Sequence, residues 1–366
     1  MVVKTFNMEE VLFQKFNNKL ASIDTLLVFC SENDCSDLYI KAGTKPHINR
    51  YGRMYEVPCM PINDIAWNDF SKIAISAERN SKYVREKMLD IAYTVDIPED
   101  SKHRKNHKTF RYRVSAGFSQ RRFIATFRMI NPDLPSFSTI KFPEIVRDAL
   151  ESSFETKTGI ILLCGPTGSG KTTTLASSIN DFSKDDGPLQ NSMIITLEDP
   201  IEYVYDMTKN TRIIQKELGV DFKSFSSGVK QSLREHPTHI LCGEIRDREG
   251  INVCVEASRT GHKVITTFHT DDVPGTVSRM FFYLSSGDNT DEAMHDLITH
   301  LDFILCQRLV SSGESFRLET QYMLFIDEIK VALKRIVSEG QNIPTAIAQL
   351  FNNKSLIDSG VIKDWD

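Results

Sequence analysis

Residues 165 to 172 read Gly-Pro-Thr-Gly-Ser-Gly-Lys-Thr, which satisfies the spacing Gly-x-x-x-x-Gly-Lys-Thr. Glycines at 165, 168 and 170 let backbone N–H groups turn to one side with no Cβ in the way. The stretch Gly165, Pro166, Thr167, Gly168, Ser169 and Gly170 can therefore wrap a polyphosphate. Lys171 then reaches the outer phosphates, and the Thr172 hydroxyl holds Mg2+. The chemistry implied is ATP binding and cleavage with Mg2+ as cofactor.

Such a loop works only if a strand delivers it and a helix receives it. Gly159–Cys164 is short, apolar and β-branched, which predicts a buried parallel strand. Thr172–Phe182 contains no Gly or Pro and predicts a helix whose N-terminus faces the phosphates. A second apolar run, Met193–Leu197, leads into Glu198, Asp199, Pro200, Ile201 and Glu202. Pro200 stops that strand, so its acids emerge at the C-terminal edge, where open parallel sheets bind ligands. A third run, His239–Cys242, ends in Gly243 and Glu244, an acid suited to Mg2+ and its waters. One added strand, carrying Glu198 to Glu202 between the loop and the metal acid, is a RecA-like arrangement with Glu202 as the base that polarises the attacking water. A fourth run, Val264–Phe268, ends at His269, placed to hydrogen-bond the terminal phosphate. His236, His239, His295 and His300 read as packed or hydrogen-bonded residues.

The chain has 366 residues, 40% hydrophobic and 25% charged, with a net charge of −5, as in soluble globular proteins of two domains. That charge exerts no global pull toward nucleic acid or anionic lipid. No apolar run approaches the roughly 20 residues needed to span a bilayer, and the N-terminal Met1–Phe13 carries acids where a secretory signal would be basic. A cytoplasmic protein is expected. Seven scattered cysteines form no Cys-x-x-Cys pair and read as buried hydrophobes. Residues 1–130 alternate short β-runs (Asp37–Ile40, Tyr112–Ala116, Phe123–Arg128) with polar helices, predicting a mixed α/β domain with an antiparallel sheet. Pro132 and Pro135 mark a linker over 131–145, followed by the ATP-binding domain over 146–340 and a helical tail over 341–366 with a frayed end.

The ordered blocks resemble those of the type II/type IV secretion ATPases, hexameric motors that include PilT-like, GspE-like and DotB-like members. The resemblance covers roughly residues 36 to 330 and rests on GPTGSGKTTT (165–174), TLEDPIEY (196–203), ILCGEIRD (240–247) and TGHKVITTFHT (260–270). It implies an α/β fold with a RecA-like P-loop ATPase domain preceded by a smaller PAS-like domain. It also adds Thr173 to the phosphate loop, matches Glu202 to the catalytic glutamate and Glu244 to the metal-site glutamate, and makes His262 and His269 the two histidines of the fourth block. Arg113 in RYRVSA and Arg128 in FRMI match arginines that the PAS-like domain lends to the nucleotide.

The resemblance further implies a homo-hexamer, inner-membrane components of a secretion, conjugation or pilus machine as partners, and peripheral association with the membrane through them. No direct nucleic-acid contact is expected. The chain lacks a four-cysteine zinc module, as in the short PilT-like and DotB-like branch, and the absence of an intact retraction signature, with Tyr203–Asp206 and YMLFID over 322–327, leans the resemblance toward a DotB-like type IV secretion or conjugation motor. A PilT-like pilus retraction motor is the alternative, and a nucleic-acid-translocating RecA-like motor the less favoured one. The basic run 102–113, with six Lys or Arg, reads as a solvated loop in which only Arg113 falls on a family motif.

Overall fold

The computed structural model describes residues 7–74, 87–99, 101, 109–130, 133–184, 186–205, 208, 210–285, 290–312, 315–341 and 343–365. The chain divides into two units, Met1–Asp133 with Pro200–Tyr203, and Leu134–Asp199 with Val204–Asp366.

In the first unit, alternation of period two writes the sheet. Phe110, Tyr112, Val114 and Ala116 are buried while Arg113 and Ser115 between them are exposed, and Phe123, Ala125 and Phe127 repeat the pattern. The elements are α1 (Met8–Phe16), α2 (Ile23–Glu32), β1 (Asp37–Lys41), β2 (His47–Arg50), β3 (Arg53–Glu56), α3 (Asp64–Ala74), β4 (Leu89–Asp96), β5 (Thr109–Ser119) and β6 (Arg122–Ile130). The six strands form one antiparallel sheet in the order β3-β2-β1-β6-β5-β4. Leu12, Leu26 and Leu27 of the helices pack with Tyr112 and Phe127 in a single core.

In the second unit, α4 (Glu144–Glu155), β7 (Gly159–Cys164), α5 (Lys171–Phe182), β8 (Met193–Glu198), β9 (Arg212–Glu217), α6 (Phe225–Ser232), β10 (His239–Glu244), α7 (Arg248–Arg259) and β11 (Lys263–Phe268) come first. They are followed by α8 (Val273–Ser285), α9 (Thr290–His300), β12 (Leu301–Ser312), β13 (Ser315–Leu324), α10 (Asp327–Ser338), α11 (Ile343–Leu350), α12 (Lys354–Asp358) and β14 (Ile362–Lys363). The sheet runs β14-β13-β12-β7-β11-β10-β8-β9, parallel from β12 to β9 and antiparallel over β13 and β14. It is covered on both faces. Ile160, Leu162 and Cys164 of β7 enter one core and Ile161 and Leu163 the other, which is why this strand is apolar throughout. All seven cysteines are free and buried. Among the described residues no helix is long and apolar enough to cross a membrane.

Several expectations change here. The strand between β7 and β10 is β11, which carries His269, and the acidic strand β8 lies beyond β10. Of the expected linker, Asn131 and Pro132 lie outside the described residues. Phe137 and Phe142 are buried rather than linking, with ring centroids 5.1 Å apart and Phe137 5.3 Å from Phe182. The expected helical tail ends in β14, which pairs with β13, and Arg308 lies 4.3 Å over the Trp365 ring, so the chain is held as far as Trp365. Residues 102–108 of the basic run lie outside the described residues, whereas 109–113 belong to β5 and not to a loop.

Candidate active site

The loop leaves β7 at Cys164 and bends through Gly165 (φ 144°), Gly168 (φ 81°) and Gly170 (φ 88°) before α5 begins at Lys171. A Cβ at Gly165 would lie 2.2 Å from the Gln307 carbonyl oxygen, so only glycine fits between loop and β12. Lys171 is 8% exposed. Its Nζ donates to the carbonyls of Gly165 (2.7 Å) and Pro166 (3.0 Å) and lies 3.4 Å from His269 Nδ1. Burial pushes its pKa below the usual lysine value, opposed by the nearby Cys164 and Glu244. A lysine held by carbonyls in this way can exchange them for phosphate oxygens at little cost in desolvation.

The residues present fit a nucleoside triphosphate. Ser169 is buried with a hydroxyl that has no hydrogen-bond partner, and glycine opens the loop at both ends. Thr172 is exposed in the first turn of α5, beside half-buried Thr173. Among the described residues no group of three or more His, Cys, Asp or Glu could hold a metal. Mg2+ commonly takes one or two protein ligands and completes its shell with phosphate oxygens and water, so Thr172 and Glu244 suit it.

Glu244 reaches the same sheet edge through a bulge. Cys242 pairs with Thr266 and Glu244 with Thr267, so Gly243 is the extra residue, its carbonyl accepting from the Thr267 hydroxyl at 2.6 Å. Glu244 Oε1 lies 3.4 Å from His269 Nε2. Its Oε2 accepts from Arg246 Nε (3.1 Å) and Nη2 (3.0 Å). Arg279 Nη1 donates to the His269 carbonyl at 3.0 Å and so fixes the end of β11. Lys171, His269 and Glu244 thus form a continuous line over the ends of β7, β11 and β10.

His262 does not join them. It precedes β11, with Nδ1 3.1 Å from the Ala257 carbonyl, and β11 runs parallel to β7 with Lys263 opposite Gly159. At roughly 3.3 Å per residue the seven steps to His269 span on the order of 20 Å, so a role for His262 at this chain's own phosphate loop is corrected. Glu198 is also committed elsewhere. It is buried, and its Oε1 accepts from the Thr196 hydroxyl (2.6 Å) and Gln215 Nε2 (3.0 Å).

Within the first unit, Glu202 and Tyr203 line a cleft of about 560 Å3 together with Arg113, Arg128, Ser115 and Thr126. The Ile201 carbonyl accepts from Arg111 Nη2 at 3.1 Å and holds this acidic segment. Arg113 and Arg128 are direct cross-strand partners on β5 and β6. Like charges so placed repel, and each is compensated by a carboxylate, Asp90 for Arg113 (2.7 Å) and Asp37 for Arg128 (2.9 Å). Three expected site residues therefore share one cleft. Gln307, Arg246 and Arg279 were not anticipated. Arg246 lay in view inside the GEIRD block, whereas nothing in the sequence singles out the other two.

A phosphate loop on a central parallel strand, with acid and histidine on the next strand ends, defines a RecA-like P-loop ATPase. The family model described as Type II/IV secretion system protein matches residues 85–337. The chain belongs to the type II/type IV secretion ATPase family and is accordingly an ATP-hydrolysing enzyme. It is 28% identical over 344 residues to the type IV pilus ATPase PilU of Pseudomonas aeruginosa, covering 90% of this chain and 84% of that one. The structure is similar to that of the Legionella pneumophila ATPase DotB, with TM-score 0.80 and 26% identity over 96% of this chain and 97% of that one. It is also similar to the pilus retraction motor PilT with bound ADP, with TM-score 0.73 and 25% identity over 90% and 89% of the two chains.

Proposed function

We propose that the chain is a subunit of a ring-shaped, Mg2+-dependent ATPase motor of the pilus retraction kind. The line of Lys171, His269 and Glu244 beside a glycine-built loop carries the reading, because it sets a cation, a hydrogen-bonding ring and a metal acid along one sheet edge. The pilus assignment draws on the relatives, since a protein named a type IV pilus ATPase aligns with 90% of the chain.

In this reading Gly165, Pro166, Thr167, Gly168, Ser169, Gly170, Thr172 and Thr173 cradle the phosphates, and Lys171 leaves the loop carbonyls for the phosphate oxygens. Thr172 and Glu244 hold Mg2+, which neutralises charge on those oxygens. Glu202 polarises the attacking water, and Arg113 and Arg128 offer planar forks of donors to phosphate oxygens. His269 hydrogen-bonds the terminal phosphate and loses that bond when it departs, which supplies a local signal for conformational change. Residues 1–130 serve as the PAS-like domain. Six copies form the ring, which works at the cytoplasmic face of the inner membrane through membrane-embedded partners and makes no direct contact with nucleic acid.

A second reading, a type IV secretion or conjugation motor, is favoured by the likeness to DotB over 96% of the chain. Purified protein should hydrolyse ATP only with Mg2+, and Lys171→Ala and Glu202→Gln should abolish turnover; normal hydrolysis by both variants would overturn the mechanism. Light scattering with bound nucleotide should give six times the mass of one chain. Deletion of the gene should abolish surface motility under the first reading and conjugative or effector transfer under the second. Hydrolysis stimulated by DNA with a steep salt dependence would instead support a translocase.

A further inference from the structure

Gln307 places an amide side chain against the phosphate loop from behind. It follows Cys306, which pairs with Cys164, so it stands on β12 beside the point where β7 gives way to Gly165. On its other side β12 remains tied to β13, with Gln307 opposite Thr320. The residue is 1% exposed. Its Nε2 donates to the Ser169 carbonyl at 2.7 Å, and a Cβ at Gly170 would come within 3.3 Å of that nitrogen. Its Oε1 is buried without a hydrogen-bond partner, as is the Ser169 hydroxyl. An amide that leaves one end unsatisfied in a buried place is costly to keep for packing alone, since an apolar residue of the same size would avoid the penalty.

Peptide planarity gives the arrangement a purpose. The carbonyl of Ser169 and the N–H of Gly170 belong to one peptide unit and point in opposite directions. Pinning the carbonyl toward β12 therefore turns the Gly170 N–H away from that strand. Because β12 is held in its ladder with β13, the anchor is rigid, and the loop amide is aimed before any ligand arrives. We propose that Gln307 is a positioning residue of the ATPase, holding the Ser169–Gly170 peptide so that its N–H is presented to a nucleotide phosphate. This rests on the reading of the loop as an ATP site.

The test compares wild type with Gln307→Leu and Gln307→Met, which fill the same space without donor or acceptor, and with Gln307→Glu, which sets a carboxylate oxygen against the Ser169 carbonyl. Fluorescent ADP titration, Mg-ATP kinetics and thermal melting are measured on each. Loss of an aimed hydrogen bond should raise the ADP dissociation constant and the KM for ATP by about 5- to 30-fold in the Leu and Met variants, with kcat changed less than about threefold. Their melting temperatures should stay close to that of wild type, because removing the orphaned oxygen offsets the loss of the donor to the Ser169 carbonyl, and Gln307→Glu should bind weakest. Unchanged affinity in well-folded Leu or Met variants would overturn the proposal, as would failure of all three to fold, which would assign the residue to stability. Wild-type protein that binds no nucleotide would instead refute the ATP reading.

Discussion

Adding one methyl group at Gly165 should do far more damage than adding one at Gly168, although both glycines have positive φ. At Gly165 the φ of 144° is one that L side chains rarely adopt, and the new Cβ would sit 2.2 Å from the Gln307 carbonyl oxygen and 2.6 Å from the Ser169 hydroxyl. The backbone strain alone is worth ~1–3 kcal/mol. The carbonyl cannot retreat, because Gln307 lies in the β12–β13 ladder, so the loop must move instead, carrying with it the carbonyl that holds Lys171. Displacement of a positioned group by about 1 Å costs on the order of 100-fold in rate. At Gly168 the φ is 81° and nothing lies within 4 Å of the new Cβ. Only the left-handed backbone penalty applies there, about 1 kcal/mol, or roughly fivefold in affinity. The assay is kcat/KM for Mg-ATP with ADP affinity, alongside thermal melting to verify folding. Gly165→Ala should fall about 100-fold and Gly168→Ala about fivefold. Equal losses, or a larger loss for Gly168→Ala, would refute the claim that the loop is wedged against β12.

Lys171→Ala should lower kcat by at least about 100-fold, since the ammonium is the cation built into the loop, with melting temperature nearly unchanged. Asp302→Ala should cost ~3–5 kcal/mol in urea unfolding of the second unit, because Lys263, whose side chain is fully buried and contacts the Asp302 carboxylate, would keep an uncompensated charge. Replacing both by apolar residues of similar volume should recover much of that loss, and no recovery would contradict the ion-pair account. His239 stacks on Phe154, and burial pushes its pKa from 6.5 down to about 4. The unfolded chain takes up a proton between those values that the folded chain refuses, so stability is lost as pH falls through that window, by about 3 kcal/mol in all. His239→Leu should remove this part of the acid sensitivity, and parallel pH dependences of the unfolding midpoint in the two proteins would rule it out.

Much of the site was legible because its signals are local. The glycine spacing announced the loop, Pro200 ended the acidic strand, and the run from Phe123 to Arg128 marked β6. Where a signal required knowing which strands are neighbours, the sequence reading failed. It set the acidic strand between β7 and β10, whereas β11 occupies that place. It took His262 and His269 together from one motif, yet they cap opposite ends of β11. Phe137 and Phe142 read as linker residues because the prolines before them are conspicuous, and only packing against Phe182 reveals them as core. Gln307 carried no signal at all, being one of several polar residues in β12.

The amino-acid sequence by itself determined which short segments bend, extend or coil, and which of them carry a phosphate-gripping or acidic end, because φ preferences, proline stops and burial periods act over a few residues. Tertiary structure alone decided that Lys171, His269 and Glu244 share an edge, that a bulge at Gly243 re-aims the acid, and that Gln307 backs the loop. These are pairings between residues tens to more than a hundred positions apart. They are selected by the packing of whole strands and helices, which no local stretch of chain can specify.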